Sequence, residues 1–141
     1  MAGQFLLFAA LVGLAFRYSG TGPAAWSGAG IGLLIAAATV AVTGAKALGR
    51  NLTPFPKPTD HAELVQHGIY SEIRHPLYTA VILAGFGWSL VCLSWPAAVV
   101  AAALIPFFHA KSCREECFLR QRFPDYREYE SRTRRFIPRV Y

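Results

Sequence analysis

Long apolar runs separated by short polar breaks dominate the chain, at about 5–16, 24–45, 77–93 and 96–110. A helix needs roughly 20 residues to cross a hydrocarbon core about 30 Å thick. Only the second run has that length outright; the others must borrow flanking residues, tilt, or sit where neighbours thin the bilayer. The pattern predicts an all-α integral membrane protein of about four transmembrane helices. The third run ends at "SWP", where Ser94 can cap and Pro96 can occupy the first turn of the next helix. The last two helices are therefore expected to form a tight hairpin, with a kink at Pro106. Trp88 and Trp95 suit the outer interface of that hairpin, and Trp26 suits the same level on the second span.

Finer patterning lies between and after the runs. Gly28, Gly32 and Ala36 repeat at every fourth position, a stripe that lets another helix approach closely. Pro54, Pro56 and Pro58 forbid a regular helix, so 50–67 reads as a loop, and neither side of it could fold alone. The prediction is a single domain over 1–141. After Pro124 the segment "DYREYESRTRRFIPRVY" alternates charges with Tyr126, Tyr129, Phe136 and Ile137. That is the pattern of an amphipathic segment lying in the interface, aromatics in the headgroups and arginines near phosphate, with a solvated tail over 131–141 as the alternative.

Charge supplies the orientation. Of 14 Lys and Arg, nine lie in 111–139, and Lys46, Arg50, Lys57 and Arg74 lie between the second and third runs. The positive-inside rule puts the 46–76 loop and the C-terminal segment in the cytoplasm. The formal net charge of +6 is then a topology signal and an attraction to anionic headgroups, not a nucleic-acid footprint. Charged residues make up 16%, against roughly 25% in a soluble domain. The first run has no Lys or Arg ahead of it, which favours a retained helix over a signal peptide. Cys92, Cys113 and Cys117 make no disulfide framework and are expected as free thiols.

The chemistry gathers at two cytoplasmic helix ends, "LVQHGIYSEIRHPLY" entering the third span and "KSCREECFLRQRFPDYREY" leaving the fourth. A hairpin sets the start of its first helix beside the end of its second, so the two clusters face each other. Ionisable groups placed there are costly and point to function.

The first of these segments, followed by "REECFLRQRFPDYREYESRTRRFIP", resembles the membrane methyltransferases grouped with isoprenylcysteine carboxyl methyltransferase and the phospholipid N-methyltransferases. The resemblance covers roughly 64–138 and departs from the family pattern at Pro124, where a glycine is common. It implies S-adenosylmethionine in a cytoplasm-facing site whose core is about 62–130. Leu64, Val65, Gly68 and Tyr70 would line the nucleoside side. His75, Pro76, Leu77 and Tyr78 would hold the cofactor at the helix entrance, and Glu115 would contact its polar end. Those residue types suit the cofactor: a carboxylate for its ammonium, and His75 with helix N-terminal amides for its carboxylate.

Methyl transfer is an in-line displacement that depends on positioning and desolvation. An anionic acceptor needs a basic anchor, which Arg74, Lys111 or Arg114 could supply; an amine acceptor would need a base such as Glu116 or His67. The excess of basic side chains favours the anionic or thiol-like acceptor. Arg74 is expected to reach toward acceptor and headgroups while staying hydrated. Glu116 has a plainer reading as the partner of Arg120, one turn on. The expected function is methylation of a lipophilic or lipidated acceptor entering from the bilayer, most like a prenylcysteine carboxylate. A phospholipid amine is the alternative, and a second copy of the chain could complete the acceptor pocket. A rival of another class is a non-catalytic, metal- or haem-linked membrane protein. His109, Cys113 and Cys117 share a helix face, but no fourth ligand is evident, so no metal site is predicted. His61 carries no signal.

Overall fold

The computed structural model describes residues 2–49 and 63–138. The proline loop, with Arg50, Lys57, Pro54, Pro56, Pro58 and His61, lies outside the described residues, as does Arg139. Five α-helices occur among them: α1 (Ala2–Arg17), α2 (Ala24–Leu48), α3 (Pro76–Val91), α4 (Trp95–Arg122) and α5 (Tyr126–Arg132). A 3-10 turn spans Gly68–Ser71, and the described residues contain no strand, only an isolated bridge. Helices α2 and α4 are long and apolar enough to cross a membrane; Gly3–Arg17 and α3 are shorter apolar helices. Ile31, Ile35, Val42, Val99 and Ile105 are exposed along the two long helices, a surface that lipid covers more favourably than water.

Two compact units arise. The first contains the residues up to Thr39 together with Ala80–Phe107. Its helices approach at glycines: a Cβ on Gly30 would lie 2.7 Å from the Gly87 carbonyl oxygen and 2.8 Å from the Val91 nitrogen. Gly85 similarly faces Leu11, Ala101 and Leu104. The stripe expected at Gly28 and Gly32 packs against nothing among the described residues, where a Cβ at either would meet no atom within 4 Å. Gly30→Ala should therefore destabilise the fold by about 1–3 kcal/mol, since rigid backbone cannot yield to the new methyl. Gly28→Ala and Gly32→Ala should hold or slightly raise stability, alanine being the better helix former. Thermal unfolding in detergent separates the cases; equal midpoints for all three would contradict this packing.

The α3–α4 turn forms as expected, with Pro96 in the first turn of α4. The Ser94 hydroxyl, however, donates to the Leu14 carbonyl (3.2 Å), tying α1 to the turn. Trp88, near the C-terminal end of α3, also contacts α1. It meets Phe16 edge-on (5.9 Å between centroids), and its indole N–H is buried with no hydrogen-bond partner among the described residues. Trp26 and Trp95 remain exposed, Trp95 at 76%.

The second unit contains Val40–Thr79 and the chain from Phe108 onward. In its C-terminal segment Tyr126, Tyr129 and Phe136 are buried in the unit's core and not turned outward as expected, while Ile137 is exposed. Residues 134–135 run parallel to 72–75, with an Ile73–Arg134 bridge. The Arg74 amide donates to the Arg134 carbonyl (2.8 Å) and the His75 amide to the Arg135 carbonyl (3.1 Å). Burial pushes the Tyr129 hydroxyl up to about 12, so it stays protonated and donates to the Tyr70 carbonyl (2.7 Å). The segment is thereby folded back onto the entrance of α3.

Candidate active site at the entrance of α3

Gly68 adopts φ +63°, a conformation that costs glycine little, and opens the 3-10 turn that aims the chain into α3. Pro76 then fixes the first residue of the helix, where no amide partner is required. This places Arg74, His75 and Tyr78 against the stretch of α4 that carries Phe108, Lys111, Glu115 and Glu116.

Two carboxylates meet them in different environments. Glu116 has a side chain with 0% exposure. It accepts from Arg74 Nε (3.0 Å) and from Arg135 Nη2 (2.6 Å), lies 3.2 Å from His75 Nε2, and has Arg120 at 3.6 Å. The expected pairing with Arg120 is thus present but is the longest of four. Arg74 is buried, its side chain 8% exposed, which corrects the expectation of a hydrated guanidinium. Besides Glu116 it donates to the carbonyls of Glu130 (3.1 Å) and Thr133 (2.8 Å). Arg120 forks onto Glu130 (2.9 and 2.6 Å), and that hydrogen bonding holds the Glu130 carboxyl below the usual carboxylate range.

Glu115 keeps 27% of its side chain exposed. Its Oε2 accepts from the Tyr78 hydroxyl (2.7 Å) and stands 3.7 Å from His75 Nδ1. Tyr78 lies stacked between His75 (5.3 Å, interplanar 5°) and Phe108 (4.7 Å, 24°). The Lys111 ammonium sits over the Tyr78 ring at 5.1 Å and over Phe108 at 5.9 Å. Stacked aromatic rings beside a half-open carboxylate are suited to an organic cation that also carries a flat ring system. His75 faces two carboxylates, and its own amide and that of Arg74 already donate to the C-terminal segment.

Direct contacts bring Arg74, His75, Tyr78, Lys111, Glu115 and Glu116 into one cluster. Tyr70 joins through Tyr129, while Pro76 and Leu77 pack beneath Gly44. Leu64 and Val65 are half-buried ahead of the turn and take no part in the polar contacts described; Arg114 is exposed. Sequence reasoning missed Arg135, Glu130 and Thr133. The available signal was the spacing of Tyr126, Tyr129, Thr133 and Phe136, a three-four-three pattern that marks an inward face.

Among the described residues no group of three or more His, Cys, Asp or Glu is placed to hold a metal ion. Arg135 instead contacts both His109 and Cys113.

Among known proteins, the cobalt-zinc-cadmium resistance protein CzcN of Cupriavidus metallidurans is 38% identical over 78 residues, covering 55% of this chain and 36% of that protein. A probable protein-S-isoprenylcysteine O-methyltransferase of Oryza sativa subsp. japonica is 35% identical over 82 residues, 56% of this chain and 42% of that protein. The nickel-cobalt-cadmium resistance protein NccN of Alcaligenes xylosoxydans xylosoxydans is 36% identical over 80 residues, 55% and 37%. The chain thus matches well under half the length of these relatives. The family model described as phospholipid methyltransferase matches residues 26–126, which takes in α3, nearly all of α2 and the whole of α4 with its carboxylate pair. This chain belongs to the phospholipid methyltransferase family.

Proposed function

We propose that the chain is a membrane methyltransferase that uses S-adenosylmethionine to methylate a lipophilic acceptor. The observation that carries this reading is the pairing of half-open Glu115 with the His75–Tyr78–Phe108 shelf, which already accepts the Lys111 ammonium on its face. Bound S-adenosylmethionine would supply a methyl group on a sulfonium, open to in-line displacement. In this reading Glu115 accepts from the ammonium of the cofactor's amino-acid part, and Tyr78 fixes the carboxylate's orientation. The stacked rings exclude water and offer their faces to the positive charge. Gly68, Tyr70, Pro76 and Leu77 shape the approach, with Leu64 and Val65 ahead of them.

Arg74 is held by Glu116 and the carbonyls of Glu130 and Thr133, and Glu116 by Arg74 and Arg135, so their part is to position the entrance of α3 and not to meet the acceptor. Lys111 and exposed Arg114 remain as cations for an anionic acceptor such as a prenylcysteine carboxylate, the class named for the rice relative. An acceptor amine on a phospholipid is the second reading, favoured by the description of the matching family. We further propose four spans with the site facing the cytoplasm, on the strength of the basic residues around it, and a second copy as a contributor to the acceptor pocket.

Glu115→Ala should weaken S-adenosylmethionine binding by about 1.5–3 kcal/mol, the range for a hydrogen bond to a charged group, with little change in folding. Calorimetry on protein in lipid nanodiscs measures it, and unchanged affinity would sink the assignment. Methyl transfer assayed on prenylcysteine and on phosphatidylethanolamine then decides between the acceptors.

A further inference from the structure

We propose that Cys113 is a nucleophilic thiol, a site of covalent modification by small soft electrophiles, set up by His109 and Arg135. The sulfur is not isolated. Arg135 Nη1 lies 3.3 Å from Cys113 Sγ and 3.3 Å from His109 Nδ1, while His109 Nε2 lies 3.6 Å from the same sulfur. A guanidinium only donates, so His109 Nδ1 must present its lone pair to Arg135. In the neutral imidazole the proton then sits on Nε2, which points at Cys113. Two N–H donors, one from α4 and one from the C-terminal segment, therefore converge on one sulfur. Both donors are placed to stabilise the negative charge that develops on the sulfur as it attacks an electrophile.

Arg135 is held in place from its other side, since Nη2 donates to Glu116 Oε2 at 2.6 Å. The cation cannot drift from the sulfur without breaking that pair. Cys117, one turn further along α4, is more exposed but contacts only Gln121 Nε2 at 3.8 Å among its described polar neighbours. Exposure and chemical activation thus point to different cysteines. The site adjoins the Glu115 shelf through the Arg135–Glu116 pair, but the inference does not depend on methyl transfer.

Iodoacetamide is a suitable probe because it is small and uncharged. Its CH2 carbon forms a bond to Cys113 sulfur as the C–I bond breaks, iodide leaves with the electron pair, and the thiol proton passes to buffer. Intact protein in lipid nanodiscs would be alkylated for graded times and its cysteine peptides quantified by mass spectrometry. Cys113 should react about ten-fold faster than the more exposed Cys117, as expected for an activated thiol. His109→Ala and Arg135→Gln should each bring Cys113 down toward the Cys117 rate and leave Cys117 unchanged. Faster labelling of Cys117 than Cys113, or a Cys113 rate indifferent to His109→Ala, overturns the proposal. Should Arg135→Gln unfold the protein, all three cysteines would speed up together. His109→Ala, which leaves the Arg135–Glu116 pair intact, then decides alone.

Discussion

Glu116→Ala should cost the folded protein about 3–5 kcal/mol, the range for breaking a buried ion pair by removing one partner. The side chain is fully buried and answers Arg74, His75 and Arg135, with Arg120 nearby. Removing it strands buried guanidinium groups with no counter-charge, a cost well above the loss of the hydrogen bonds themselves. The damage should spread to the C-terminal segment, because Arg135 loses its anchor and Arg74 its strongest partner. Thermal unfolding should show a large drop in midpoint, and limited proteolysis should open the chain first within 126–138. Glu116→Gln keeps the shape and part of the hydrogen bonding, so it should fall between alanine and the parent. A Glu116→Ala protein as stable as the parent would mean that the cations find other partners, and the cluster would lose its structural standing. Glu115→Ala is the internal control: its carboxylate is half-open and held by Tyr78, so its loss should appear in ligand binding and not in the melt.

The contrast between these adjacent residues was legible in the sequence only by half. The hairpin logic brought "RHPLY" and "REE" together, because a tight turn at Ser94 to Pro96 forces the two helix ends to face each other. Which carboxylate would be buried depended on Arg135, nineteen residues further on, and on a segment whose alternating charges and aromatics read equally as an interfacial strip. Its docking rests on backbone pairing with 72–75, and backbone hydrogen bonds leave little trace in side-chain pattern. The helix contacts show the same limit. Gly28, Gly32 and Ala36 form a valid small-residue stripe, yet Gly30, Ala37 and Gly44 form another at a spacing of seven, and it is the second that is packed. Composition cannot choose between two faces of a helix that is apolar all round. The positions of Trp88 and Ser94 were likewise decided by α1, which supplies Phe16 and the Leu14 carbonyl.

Arg74→Ala is expected to rival Glu116→Ala, also costing about 3–5 kcal/mol, and for a reason that sets arginine apart from lysine. Its guanidinium works in two directions at once. Nε donates to Glu116, while Nη1 donates to the carbonyls of Glu130 and Thr133. The first contact crosses to α4 and the others hold the end of α5, so a single planar fork fastens both to the entrance of α3. A lysine ammonium is a point charge on a flexible stem and cannot span those acceptors in a fixed plane. Arg74→Lys should therefore recover only a minor part of the loss. If Arg74 instead served the acceptor through its charge, lysine would restore turnover and stability would hardly change in either variant. Coupling provides a sharper check: Arg74→Ala combined with Glu116→Gln should cost less than the sum of the single changes, by about 0.5–3 kcal/mol, as groups in one buried network do. Strict additivity in chemical denaturation would show that the two residues act independently, and Arg74 would then have to be returned to the acceptor side of the site.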